Sequence, residues 1–290
     1  MIITLTNLKG GVGKSTLTAL LAKYIARHKQ FDPVVVVDLD PQCGSTSILW
    51  GKKLDPGQAT IYDALDSEFN NVPSTELFER SFLKVEGEKK LYLVPSSPKL
   101  VQFGSNGAST DLLKYVFESA LNISSDTIIL IDTGTMPQLV GMAIAASDFI
   151  IVPMTMSKQT VLPTSTTIGM VLKARKIVKG VVPSGVGNAE WETANIAAYA
   201  KNIQKTELLK KMGTVVYPGL PYSKAMIRGE WVFKNSEVPA KFIPTVDAIY
   251  TDIFGKSALP QQPAVIPTEQ PASVPAEQPT SILTEQPLSV

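Results

Sequence analysis

The chain is poor in the residues that build covalent or metal scaffolds: its 290 residues include one cysteine, Cys43, and one histidine, His28. A single cysteine excludes an internal disulfide framework, and so small a Cys/His complement leaves nothing for a zinc finger or a cysteine-held iron–sulfur cluster. No apolar run reaches the ~18 residues that a bilayer-spanning helix needs. Net charge is also scarce, because 27 Lys and Arg against 26 Asp and Glu leave a formal +1 at neutral pH. Met1-Ile2-Ile3-Thr4-Leu5 offers no basic segment leading into an apolar one, so no signal peptide is expected and a cytoplasmic location is the simplest expectation. Hydrophobic residues are plentiful at 44%, with 18% charged, which suits one large α/β domain or two small ones.

The near-neutral total hides an uneven distribution. Lys173 to Lys241 carries twelve Lys and Arg against five Glu and no Asp, whereas Ser257 to Val290 has only Glu269, Glu277 and Glu285. The basic stretch can form an electrostatic footprint for nucleic acid or anionic lipid, or simply a set of solvated helix faces. From Pro260 there are seven prolines, and Glu-Gln-Pro recurs every eight residues. Proline blocks ladders and helices, and few large apolar residues remain there to offset ordering entropy. A folded domain over residues 1–255 is therefore expected, followed by a disordered, Pro-rich tail at 256–290 that reads as a tether or a recruitment arm.

Before that tail, short β-rich runs alternate with helical periodicity. Strands are expected at 2–5, 34–37, 91–94, 127–131, 149–152, 177–182 and 214–217, several of them apolar throughout, as parallel strands covered on both faces require. Leu17, Leu20, Leu21, Tyr24 and Ile25 keep helical spacing, and 158–176, 190–212 and 240–253 are further helices by pattern. The alternation predicts an α/β fold: a doubly wound, mostly parallel sheet flanked by helices, with ligands at the C-terminal strand ends.

Lys9-Gly10-Gly11-Val12-Gly13-Lys14-Ser15-Thr16 follows the first strand and opens an amphipathic helix, which is the context of a phosphate loop. Glycines let backbone N–H groups close on phosphate oxygens, and the helix adds the positive end of its dipole. Lys14 can reach the β/γ-phosphates, the Ser15 hydroxyl can ligate Mg²⁺, and Thr16 is placed to donate to the α-phosphate. The common G-x-x-x-x-G-K-[S/T] pattern requires glycine where Leu8 stands; instead a lysine, Lys9, comes early in the loop. So placed, it cannot easily curl back onto its own nucleotide. It can reach across a subunit boundary and neutralise charge as an arginine finger does, or else remain a solvated loop lysine. Asp132 ends an apolar strand facing the loop, where a carboxylate can complete a Mg²⁺ shell with Ser15. Asp38 and Asp40 lie two apart at another strand end, and share one face if the strand stays regular.

The octapeptide from Lys9 resembles the deviant Walker A motif of the ParA/MinD ATPase superfamily. Asp38-Leu39-Asp40-Pro41-Gln42 is similar to the D-x-D-P-Q signature of its ParA (Soj-like) partition branch, and Ile128 to Thr133 resembles its Walker B strand. The similarity runs over roughly residues 1–255. It implies a P-loop ATPase that takes ATP and Mg²⁺, with Lys9, Lys14 and Asp40 as catalytic groups and Ser15, Asp38 and Asp132 around the metal. Asp40 would position the attacking water, while Asp38 would support the metal or the switch region. Relatives usually continue the Walker B aspartate with Thr-Pro-Pro; here the text is Asp132-Thr133-Gly134-Thr135. Relatives also frame the adenine with Pro-Arg-Asn near the last strand, where this chain has Pro221-Tyr222-Ser223-Lys224.

The resemblance further implies a homodimer when ATP is bound, non-specific DNA binding on the nucleoid, and release by hydrolysis that a ParB-like partner stimulates. DNA contacts would come from Lys173, Arg175, Lys176, Lys201, Lys205, Lys224 and Arg228, with Lys179, Lys210 and Lys211 nearby in sequence. Each of these taken alone reads more often as a solvated helix cation. The cargo is open between plasmid or chromosomal DNA and a protein cargo such as carboxysomes. A MinD-like membrane role is disfavoured, because the C-terminus is Pro-rich and acidic rather than a basic amphipathic helix.

Overall fold

A computed structural model describes residues 1–28, 33–105, 107–120, 126–187, 189–224 and 237–255. The expected Pro-rich tail and Arg228 lie outside these residues. The chain begins with β1 (Ile2–Leu5), α1 (Lys14–Arg27), β2 (Val34–Leu39) and α2 (Gly44–Leu49). Next come α3 (Ile61–Phe69), α4 (Thr75–Arg80), β3 (Leu83–Lys84), β4 (Leu91–Val94) and α5 (Leu112–Ser119). The central part holds β5 (Ile128–Thr133), α6 (Pro137–Ala146), β6 (Phe149–Met154), α7 (Lys158–Lys173) and β7 (Ile177–Val186). Finally come α8 (Glu190–Lys205), α9 (Glu207–Lys211), β8 (Val215–Val216), β9 (Leu220–Pro221) and α10 (Ile243–Phe254).

Among the described residues nine strands form one sheet in the order β3-β4-β2-β5-β1-β6-β7-β8, with β9 added beside β7. Every pairing is parallel except the short edge pair β3–β4. The run Val34-Val35-Val36-Val37 shows why these strands are apolar throughout. Successive side chains point to opposite faces: Val34 and Val36 pack beneath Leu17, Leu21 and Ile25 of α1, while Val35 and Val37 meet Leu65 of α3 and Leu113 of α5. A third cluster covers β6 and β7 with α7, where Ile150, Val152, Val178 and Val181 contact Ile168 and Val171. No described helix is long and apolar enough to cross a membrane.

Two boundaries differ from the sequence expectation in ways that matter. β5 runs two residues further than its apolar run, which carries Asp132 and Thr133 into the ladder opposite Asp38 and Leu39 of β2. The helix expected over 190–212 is split, because Thr206 adopts an extended ψ of 103° and starts α9 in a new direction. β1 lies between β5 and β6: the chain passes from β1 toward the β2 side and, after β5, crosses to β6 on the other side. That is the topological switch point, where parallel sheets open a crevice at their C-terminal strand ends.

Candidate functional site

The crevice is lined by the turns that leave β1, β2, β5 and β7. From β1 the chain enters the phosphate loop through Asn7, a buried residue whose carboxamide makes three bonds. Its Nδ2 donates to the Pro153 carbonyl and to Thr164 Oγ1, both at 2.9 Å, and its Oδ1 accepts from the Lys9 N–H at 2.9 Å. Leu8 N–H donates to Thr167 Oγ1 at 3.0 Å, so β6 and α7 grip the loop from its base. Gly13, at φ +84°, turns the chain in the left-handed region just before α1. A Cβ there would stand 3.2 Å from Ser184 Oγ of β7 and 3.7 Å from Leu220 of β9.

Lys14 is 7% exposed and folds back over the loop, its Nζ donating to the Lys9 carbonyl at 3.0 Å. Burial pushes its ammonium below the usual lysine range, opposed by the charges of Asp132 and Asp40. The Lys9 ammonium behaves differently: among the described residues it makes no hydrogen bond or ion pair. Gly10 and Gly11 are exposed at the tip, Val12 is buried beneath it, and Ser15 and Thr16 occupy the first turn of α1.

Asp38 and Asp132 face each other as register partners on β2 and β5, and both are fully buried. Asp38 Oδ2 accepts from the N–H and the hydroxyl of Thr46, each at 2.7 Å, and its Oδ1 accepts from Asp40 N–H at 3.1 Å. Those bonds brace the loop between β2 and α2. Asp132 Oδ2 accepts from Ser45 Oγ at 2.7 Å and the Ser15 hydroxyl also bonds this carboxylate, whereas its Oδ1 is buried with no partner. An orphaned carboxylate oxygen beside a hydroxyl at the foot of a phosphate loop fits a Mg²⁺ ion arriving with its nucleotide. Among the described residues no group of three or more His, Cys, Asp or Glu could hold an ion by itself; Mg²⁺ commonly takes one or two protein ligands and completes its shell with water and phosphate oxygens.

Burial lifts both carboxyls above the usual range. For Asp38 the charge of Asp132 adds to this; for Asp132 the Ser15 and Ser45 hydroxyls and Lys14 pull the other way. A carboxyl raised on folding favours the folded chain below the ordinary carboxylate range, and that contribution is lost as pH climbs through the raised value. The melting temperature of the nucleotide-free chain should therefore carry a downward component between about pH 4 and about pH 8, with about 2–4 °C for each kcal/mol in a chain of this size. Asp132→Asn should flatten that slope. A thermal melt series on both chains checks it, and identical slopes would count against the pair.

The sequence-predicted nucleotide residues converge. Pro221 pairs with Val186 and Tyr222 N–H donates to the Val186 carbonyl at 3.1 Å, which sets both at the C-terminal end of β7, next to Leu220, the residue that approaches Gly13. Tyr222 is 55% exposed among the described residues. Most of the basic residues do not join the nucleotide residues. Lys173, Arg175 and Lys176 precede β7, and Lys201, Lys205, Lys210 and Lys211 precede β8; these two parallel strands enter the sheet at the end opposite the phosphate loop. Thr214 Oγ1 donates to the Val178 carbonyl at 2.7 Å and ties the two connections together. Lys224 follows β9 at the nucleotide end. Lys176 donates to the Ser147 carbonyl at 2.9 Å and Lys179 pairs with Asp252 at 3.2 Å, so both are engaged within the fold. Sequence reasoning missed Asn7, Ser45, Thr46 and Ser96, whose hydrogen bonds reach far along the chain and leave no local pattern.

Comparison with known proteins agrees with this geometry. Residues 1–178 match the family model described as AAA domain (AAA_31). The chain is 32% identical over 156 residues to the chromosome partitioning protein ParA of Myxococcus xanthus, covering 53% of this chain and 51% of that protein. It spans about half the length of the curated relatives it matches. A putative plasmid partition protein of Borrelia burgdorferi bound to AMPPNP superposes with a TM-score of 0.69 at 22% identity, over 88% of this chain and 98% of that one. An ATP complex of Cyanothece McdA gives 0.69 at 19% identity, over 90% and 98%. By the matched family model the chain belongs to the AAA_31 family, and the three motifs gathered in its crevice are those by which it resembles the ParA/MinD superfamily.

Proposed function

We propose that this chain is a Mg²⁺-dependent partition ATPase that dimerises across two ATP molecules, holds DNA without sequence preference and lets go on hydrolysis. The observation that carries the reading is Lys9: its backbone is locked inward by Asn7 and Lys14, while its ammonium has no partner among the described residues. A cation presented in this way at the rim of a nucleotide crevice is available to phosphates on a facing subunit. Lys14 and the loop N–H groups hold the β- and γ-phosphates, and Ser15 with Asp132 holds the Mg²⁺. The ion supplies charge neutralisation on the phosphate oxygens. Asp40 orients the attacking water, and Pro221 and Tyr222 flank the base.

DNA belongs at the other end of the sheet. Lys173, Arg175, Lys201, Lys205, Lys210 and Lys211 are all exposed there. A dimer doubles the set without reading any base edge. Release requires a partner that speeds hydrolysis, of the ParB type for a DNA cargo. The equal superposition on McdA keeps a positioning role for a protein cargo as the second reading, and the two are separated by which adaptor accelerates turnover.

Co-sedimentation with DNA in ATP, in ADP and without nucleotide, across a salt series, tests the proposal. Retention should require ATP and fall steeply with salt, since about 6–10 phosphate contacts lose about 10³–10⁵ in affinity between about 50 and about 200 mM. Retention that ignores nucleotide or salt would overturn it.

A further inference from the structure

The carboxylate of Asp40 lies against a position that has no side chain. A Cβ on Gly134 would stand 2.7 Å from Asp40 Oδ1, 3.0 Å from its Cγ and 3.4 Å from Pro41 Cδ. Gly134 is buried directly after β5, two residues beyond Asp132, and its φ is not in the left-handed region that demands glycine. What glycine supplies here is room.

The Asp40 backbone cannot retreat from that contact. Its N–H donates to Asp38 Oδ1 at 3.1 Å, and its carbonyl accepts from Ser96 Oγ at 2.6 Å and from Cys43 N–H at 2.7 Å. Ser96 N–H also donates to Thr46 Oγ1 at 3.0 Å, so one buried serine clips both ends of the loop that carries Asp40. The carboxylate is additionally capped by Gln42 N–H, 2.9 Å from Oδ1. With the backbone pinned, a side chain at 134 displaces only the terminal group of Asp40, which swings about its own χ angles and leaves the loop in place.

We infer that Gly134 is a positioning residue for hydrolysis, its missing Cβ setting where the Asp40 carboxylate stands relative to Asp132. The assignment rests on the proposed role of Asp40 in orienting water. It separates two properties that a general packing defect would move together. Nucleotide affinity comes from the phosphate loop and Lys14, which Gly134 does not touch, whereas the rate depends on where the carboxylate points.

The test uses the full chain in four forms: wild type, Gly134→Ala, Asp40→Ala and the double variant. Single-turnover ATP hydrolysis with Mg²⁺ and equilibrium ATP binding are measured on each. Gly134→Ala should slow hydrolysis about 10–100-fold, as a misplacement of about 1 Å does, with the ATP dissociation constant within about 3-fold of wild type. The double variant should be no slower than Asp40→Ala alone, because the group through which position 134 acts is already gone. Effects that multiply in the double variant, or a wild-type rate in Gly134→Ala, would overturn the assignment. Should Gly134→Ala fail to fold, the Asp40→Ala background removes the colliding atoms and must restore a folded chain; lack of restoration also overturns it. A wild-type chain that hydrolyses no ATP defeats the proposed function itself, whereas an active wild type with an equally active Gly134→Ala defeats only this inference.

Discussion

Replacing Lys14 by alanine is expected to remove ATP binding and hydrolysis together while the fold survives. The ammonium is 7% exposed and lies between the Lys9 carbonyl, 3.0 Å away, and the charges of Asp132 and Asp40. Burial already presses its pKa downward, so the site holds this cation at a desolvation cost that an arriving triphosphate relieves. Without it, the β- and γ-phosphates would enter a crevice whose buried ionisable groups are the carboxyls of Asp38 and Asp132, with no cation to offset the incoming charge. Truncating one member of a buried charged contact costs about 2–5 kcal/mol, or roughly 30- to 5,000-fold in affinity. Alanine is a strong helix former at the first residue of α1, so the helix itself is not threatened. Titration calorimetry with Mg²⁺ and ATP, beside circular dichroism, reads both halves of the expectation. Unchanged affinity in a folded Lys14→Ala chain would remove the phosphate role. Arginine is not an adequate substitute, because its planar fork does not fit a pocket shaped around a point charge.

How much of this could be read in the sequence depends on whether the cause is local. The valine run of β2 and the apolar run of β5 are legible because a parallel strand covered on both faces leaves a continuous signature. The phosphate loop is legible because its glycines and lysine act within eight residues of one another. Asp132 stands out only as the polar end of an apolar run, and the ladder turns it to face Asp38. What escapes is the polar scaffolding. Asn7 reaches Thr164, and Ser96 reaches Asp40 and Thr46 across the gap between β4 and β2. Single side-chain bonds over such separations have no period to detect. α2 is six residues beginning Gly-Ser-Thr, too short and too polar to show an amphipathic stripe, and α6 is apolar on nearly every face. The basic stretch misleads in another way. Sequence proximity groups Lys224 with Lys173, Arg175 and Lys205, yet the strands between them carry it to the opposite end of the sheet.

Lys9→Ala should produce the second large effect, and a different one. The Lys9 backbone does its structural work without the side chain: its N–H meets Asn7 Oδ1 at 2.9 Å and its carbonyl receives Lys14 Nζ at 3.0 Å. Alanine keeps both bonds, so the monomer should melt normally and bind ATP as the wild type does. The loss falls on the paired state, in which each subunit lends its lysine to the other's phosphates and two cations vanish at once. A charge-neutralising finger supplied across an interface is worth about 10³–10⁵ in rate, so stimulated hydrolysis should drop at least about 10³-fold. Light scattering should no longer show a doubled mass when ATP and Mg²⁺ are added. Because affinity in the monomer is preserved, this pattern differs from that of Lys14→Ala, where binding itself is lost. A Lys9→Ala chain that still doubles its mass with ATP and hydrolyses at the wild-type rate would place that ammonium in solvent and leave the dimer without its bridging cation.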